Sequence, residues 1–318
     1  MPRLLAALLA LALAAPLAAQ NYPSQPIRLI APFPPGGSVD ITARLLAEPL
    51  AAQLGQRVII ENRSGASGNI GMDAAARAAP DGYTIVLNTI PLVTNQSLFE
   101  KLSWDPLRDF APIGMVATSP HVLVVPAKVP VKSVDELVKL ARSQPGRLSY
   151  ASAGVGTTFH FCAEMFKDST GTFILHVPYR GGGPALLDTL AGQVDMSFPT
   201  MSAALPHIKA GALRALAVTD TKRSALLPEV PTLREAGVKD FQFTQWLALL
   251  APAKTPPAVV SRLNAALTGA LNAPEVKEKF QSQAFESFIT TPEAARSFLA
   301  GEVQRFSRLI KARGITAN

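Results

Sequence analysis

The stretch that decides the fold is Ile27-Arg28-Leu29-Ile30-Ala31-Pro32-Phe33-Pro34-Pro35-Gly36-Gly37-Ser38-Val39-Asp40. Ile27 to Ala31 is an apolar run long enough for one buried strand. Pro32, Pro34 and Pro35 end it, because proline lacks an amide donor and fixes its own φ. Gly36 and Gly37 can take φ values closed to other residues and, having no Cβ, let a ligand reach bare backbone. Ser38 and Asp40 offer N-cap oxygens to a following helix that carries Ile41, Leu45 and Leu46 on one face. A strand, a tight loop and a helix whose first amides point into the loop together attract anions. No Lys or Arg occurs from Pro32 to Asp40, so backbone would hold the anion, which favours a carboxylate over a triphosphate. The loop also suits an ordinary strand-to-helix turn, since two glycines alone are a weak signal.

The chain has 318 residues, enough for two domains with sizeable cores. A hydrophobic content of 48% with 17% charge describes a globular protein and excludes a disordered one. Residues 1–20 read as a secretory leader: Arg3, the Leu/Ala run Leu4 to Leu13, the breaker Pro16, then Ala18 and Ala19. Cleavage is expected within Ala18 to Gln20. The run is too short to span a bilayer, and no later stretch reaches the roughly 18 apolar residues of a membrane helix. An exported, soluble protein is expected. The formal charge of +7 fits anion binding, but Lys and Arg are scattered without a run of three, which argues against nucleic acid. Cys162, the only cysteine, lies among Phe159, Phe161 and Phe166 and reads as a small core residue.

Further along, strands are expected at Val58–Glu61, Tyr83–Asn88, Pro112–Thr118 and Val122–Pro126, with a helix at Asn69–Ala78. The two strands before and after Ser119 read as crossing strands between domains. Ser133-Val134-Asp135-Glu136 has the form of a capping box and opens a second α/β pattern. Strands at Leu148–Ser152, Phe173–Val177, Asp195–Phe198 and Leu213–Thr219 follow. Two of them run into further glycine loops, Ala153 to Thr157 and Tyr179 to Pro184. The chain then returns through a strand at Phe241–Ala251 and long helices at Pro256–Leu271 and Pro292–Arg313. Strands alternating with helices predict parallel sheets covered on both faces, with the three glycine loops facing one another at carboxyl strand ends.

These residues match a known family. Tyr22-Pro23, the proline–glycine loop to Asp40, Glu61 to Ala66 and Pro80-Asp81-Gly82-Tyr83-Thr84 are its marks in the first half. Val177 to Pro184, Arg214 to Thr219 and Pro231-Thr232 with Glu235-Ala236-Gly237 are those in the second. The chain resembles the extracytoplasmic solute receptors of tripartite tricarboxylate transporters, the TctC or Bug type. The resemblance implies an α/β, two-lobed periplasmic-binding-protein-like fold, each lobe a mostly parallel sheet flanked by helices, with the ligand cleft between lobes. Residues 21–122 plus 246–318 are expected as lobe one and 123–245 as lobe two. A small carboxylate (a di- or tricarboxylate, an amino acid or an aromatic acid) would be held largely by main-chain amides and water. Carried over by position, the ligand residues are Phe33, Pro35, Gly36, Gly37, Ser38 and Asp40 in lobe one. In lobe two they are Ser152, Thr157, Thr158, His160, Tyr179, Gly181 and Gly182, with Asn69 and Asn88 as further candidates. Membrane permease subunits are the implied partners, the receptor itself being monomeric and free of cofactor.

Other readings stay open on the residues alone. Ser152 sits between strand and helix as a hydrolase nucleophile would, but Tyr150 occupies the position where such an elbow needs glycine. His160 and Glu164 share a helix face without a third metal ligand in sight. His160 also suits a helix-start hydrogen bond, and Tyr179 a plug in a cleft wall. A binding protein that signals to a sensor kinase would carry the same residues as one that feeds a transporter.

Overall fold

The computed structural model describes residues 22–316, so the expected leader at 1–20 lies outside the described residues. In chain order the first half runs β1 (Ile27–Ala31), α1 (Ser38–Leu54), β2 (Val58–Asn62), α2 (Asn69–Ala76), β3 (Thr84–Asn88), α3 (Pro91–Leu98) and β4 (Phe110–Pro120). The middle runs β5 (Val122–Pro126), α4 (Val134–Ser143), β6 (Ser149–Ser152), α5 (Thr158–Thr170), β7 (Leu175–Pro178), α6 (Gly182–Ala191), β8 (Met196–Ser197), α7 (Met201–Lys209) and β9 (Leu213–Val218). The return comprises β10 (Thr244–Pro252), α8 (Pro257–Asn272), α9 (Pro274–Ser282), β11 (Glu286–Ser287) and α10 (Pro292–Arg313).

Local chemistry sets the element ends. Gly55 stops α1 in the left-handed conformation, φ 72°, and its amide returns to Ala51 O. At α4 the Ser133 hydroxyl accepts from Glu136 N at 3.1 Å, while the Glu136 carboxylate takes the amide of Lys132 in place of that of Ser133. The capping box is therefore displaced by one residue.

The strands form two sheets, ordered β11-β4-β10-β3-β1-β2 and β7-β6-β8-β5-β9. β1 pairs in parallel with β2 and β3, placing Leu29 opposite Ile60 and Ile85. β6 likewise pairs in parallel with β7 and β8. The expectation of mostly parallel sheets holds for these loop-bearing strands only. β10 pairs antiparallel with β3 and β4, and β5 antiparallel with β8 and β9. The reason is the crossing itself: β4 leaves the first sheet and β10 re-enters it, so the two must run in opposite directions.

That crossing is stitched by side chains. Thr219 Oγ1 accepts from His121 N at 2.9 Å and donates to Phe243 O at 2.6 Å. One apolar cluster runs through from Ile30 and Val86 in the first sheet to Leu123 and Tyr150 in the second and Phe161 of α5. Phe306 of α10 meets Phe161 of α5 at 5.2 Å between ring centroids, and Arg313 reaches Asp168 at 2.7 Å. Burying such aliphatic and aromatic side chains is worth roughly 1.5–3 kcal/mol each, so the two halves share a continuous core around the crossing strands.

Candidate functional site

Four helices begin at one small cavity between the sheets. Its wall includes Gly37, Ser38 and Val39 at the start of α1, and Thr157, Thr158 and Phe159 at the start of α5. Gly182 opens α6, Pro91 opens α3 with Thr89 just before it, and Phe33 and Ala153 complete the lining. None of these side chains is charged. The first-turn amides of a helix have no partner within it, and each N-terminus carries roughly half a positive charge. The ends of α1, α5 and α6 offer such amides, whereas α3 opens on Pro91, which has no N–H, and its next amides bond Thr89 O and Ile90 O. Together with the Thr158 hydroxyl these three ends make a neutral-walled pocket suited to a small anion, the hydroxyls of Ser38, Thr89 and Thr157 donating to Gln245 Oε1, Trp246 O and Gly154 O. The cavity measures ≈ 30 Å³, about the volume of one liquid water. The loops of the two halves thus close tightly around it.

The closure is close-packed. Thr94 Oγ1 donates to Gly156 O at 2.8 Å and Ser67 Oγ donates to Val155 O at 2.8 Å, both from the first half to the second-half loop. Pro34 faces Gly181 so tightly that a Cβ there would collide with the proline ring.

The first loop is braced from below by Asp40, which is 3% exposed. Its carboxylate accepts from Gly36 N at 3.1 Å, Arg44 Nε at 3.0 Å and Asn62 Nδ2 at 3.0 Å. Burial by itself would raise its pKa, but the bonds from Arg44, Gly36 and Asn62 outweigh it and hold the group below the usual carboxylate range. The N-cap of α1 is Gly37, without a side-chain cap bond, in place of the expected Ser38 or Asp40. Ser38 is already helical and turns its hydroxyl to Gln245 Oε1 at 3.4 Å, while Asp40 accepts the Gly36 amide.

Of the residues singled out from sequence, Phe33, Gly37, Ser38, Thr157, Thr158 and Gly182 come together around the cavity. The others stand elsewhere. Pro35 and Gly36 face an outer groove beside Gly183 and Pro184. Asn69 Oδ1 accepts from Asn95 Nδ2 at 2.7 Å, and the buried Asn88 takes the Thr89 amide at 2.8 Å. Tyr179 packs against the Ala151–Phe159–Ala185 cluster; burial and the neighbouring Asp188 raise its phenol to about 12. Gly181 caps α6, while Ser152 and His160 lie behind the second-half loop. Val39, Thr89, Pro91, Ala153 and Phe159 line the cavity without having been expected. For Pro91 the signal was present: a proline shortly after the strand ending at Asn88 is a helix-start mark.

Residues 42–315 match the family described as tripartite tricarboxylate transporter family receptor. The chain is 41% identical over 304 residues to protein BugT of Bordetella pertussis, covering 95% of this chain and 93% of that one. Among solved structures it is similar to the periplasmic binding protein BugD, at 34% identity and TM-score 0.90, covering 93% of this chain and 99% of that one. It is equally similar to the R. palustris protein Rpa4515 with adipate, at 35% identity and TM-score 0.90, with the same coverage. The two-lobed periplasmic-binding-protein fold follows from these likenesses together with the two sheets and the cleft between them.

Proposed function

From its membership of the tripartite tricarboxylate transporter receptor family, we propose that this chain is a periplasmic receptor that closes on a small carboxylate and delivers it to a tripartite tricarboxylate-type permease. The observation that carries this reading is the meeting of the N-termini of α1, α5 and α6 at a cavity without a charged wall residue. A carboxylate is the anion such a pocket suits, being small enough for backbone amides to satisfy without lysine or metal. The adipate of the R. palustris relative supports a dicarboxylate as the first class to try. In this reading residues 21–122 and 246–318 form lobe one and 123–245 lobe two, as the division into two sheets supports.

The ligand residues we propose are Gly37, Ser38, Thr157, Thr158 and Gly182, with Phe33 and Phe159 as walls. Asp40 acts by holding the Gly36 amide and the loop. Export rests on the leader at residues 1–20. Among the described residues no helix is long and apolar enough to cross a membrane.

A thermal-shift panel of small mono-, di- and tricarboxylates, each beside its amide, tests the function. An acid at about 100 times its Kd adds about 2.7 kcal/mol to stability. The matched amide, lacking charge, is expected to leave the melting temperature unchanged. Equal shifts from acid and amide, or no shift from any acid, would refute the reading.

A further inference from the structure

Two imidazoles hold the second-lobe loop Gly154–Thr157 from behind, away from the cavity its front face lines. Gly154 N donates to Ser152 Oγ at 3.2 Å, and Ser152 Oγ stands 2.6 Å from His176 Nε2. Gly156 N donates to His160 Nδ1 at 3.2 Å, which requires an unprotonated nitrogen there. Thr157 Oγ1 closes the loop onto Gly154 O at 2.6 Å. The two rings stack 4.5 Å apart, and Tyr150 stacks on His176 at 4.7 Å. Ser152 is wholly buried, so its hydroxyl serves as a link between the loop and His176.

We infer that His160 and His176 are positioning residues of the ligand site, each fixing the Gly154–Thr157 loop by accepting a hydrogen bond on a bare ring nitrogen. His160 then carries its proton on Nε2 and His176 on Nδ1, with the Ser152 hydroxyl donating to His176. Losing either acceptor frees the loop and misplaces Thr157 and Thr158. The inference rests on the cleft reading given above.

The surroundings keep both rings neutral. Burial lowers His160 to about 4 and His176 to about 3, the neighbouring His160 adding to the latter. Glu164 opposes this, but it is engaged by Tyr150 OH at 2.6 Å and Lys167 Nζ at 2.7 Å. Arg313 faces the same rear hollow and is paired with Asp168 at 2.7 Å. Lys167 thus places positive charge near both imidazoles, which disfavours their protonation.

Long-range proton–nitrogen NMR of the ligand-free wild type at pH 7 reads the tautomers directly. The expected result is His160 protonated on Nε2 only and His176 on Nδ1 only. A proton on His160 Nδ1 or on His176 Nε2 overturns the inference, whether or not any ligand binds. Titration calorimetry with adipate supplies the second arm. His160→Leu and His176→Leu are expected to bind about 10-fold more weakly, the scale of a lost hydrogen bond. His160→Asn and His176→Gln return an oxygen near Nδ1 and Nε2 respectively and should bind within about 3-fold of wild type. Amide exchange of Gly154 and Gly156 should be slow in the wild type and in these two variants, and fast in the leucine variants. Conservative variants as weak as the leucine ones, or leucine variants that bind normally, overturn it. A wild type that binds no acid counts against the cleft reading, while the tautomers and amide exchange still decide this one.

Discussion

Gly183 and Pro35 meet so closely across the cleft that a Cβ on Gly183 would stand 2.5 Å from the Pro35 carbonyl oxygen. Gly183 is helical within α6 but precedes Pro184, whose ring disfavours helical backbone for a residue bearing a Cβ, so alanine meets both that ring and the opposite lobe. Gly183→Ala should therefore fold with modestly lowered stability, yet lose most of its ligand affinity because the lobes stop short of closure. Urea unfolding and titration calorimetry separate the two effects. Normal binding by this variant would mean that closure at Pro35 is dispensable.

Asp40→Asn leaves Arg44 without its buried partner and loosens the Gly36 amide. Breaking a charge-assisted network of this kind costs about 2–3 kcal/mol at pH 7. The Asp40 carboxyl is held below its unfolded value, so its contribution is present above about pH 4 and fades as acid protonates it. Urea unfolding at pH 7 and pH 3 should show a large wild-type advantage at the first and a smaller one at the second. An equal gap at both would contradict the role assigned to this carboxylate.

His121 is wholly buried, with Nδ1 2.8 Å from Phe198 O, and burial lowers its pKa to about 4, as it does for His160. Between about pH 4 and 6.5 the unfolded chain takes up protons that the folded one refuses. Stability is then complete above about pH 6.5 and falls with acid, by about 1.4 kcal/mol per pH unit for each such histidine. Unfolding midpoints from pH 4.5 to 7.5 should rise and then level off. A flat profile over that range would show these imidazoles to be protonated as easily in the fold as out of it.

If Leu4 to Leu13 is the core of an export leader, the chain recovered from the periplasm should begin within a few residues of Asn21. Intact-mass measurement decides this. A chain that keeps Met1 and stays in the cytoplasm would contradict it.

The glycine loops, their strands and the long C-terminal helix were legible because proline, glycine and apolar periodicity act locally. Pro292–Arg313 is a helix with the bounds its sequence suggests. What lay hidden depends on distant partners. Ser38 looks like an N-cap until the cap is seen to fall one residue earlier, at Gly37. Of the two readings His160 carried, the helix-start hydrogen bond is the one made, from the Gly156 amide, with His176 stacked behind it. In the second loop the weight falls on Gly183 as well as Gly182, a distinction set by Pro35, which sequence alone leaves far away. The crossing strands themselves were legible, but their antiparallel pairing was hidden for the same reason, since partners as distant as Trp246 and Thr118 leave no periodic trace.

The clamp itself is tested most directly by small-angle scattering of the wild type with and without a saturating acid from the panel. A cavity of ≈ 30 Å³ admits a ligand only if the free protein opens by a hinge motion, which the bound state reverses. The account predicts that the radius of gyration falls on saturation, and that Gly183→Ala keeps the larger value under the same conditions. A wild-type radius that stays fixed while calorimetry shows the site full would contradict the two-lobed clamp and place the ligand within one lobe.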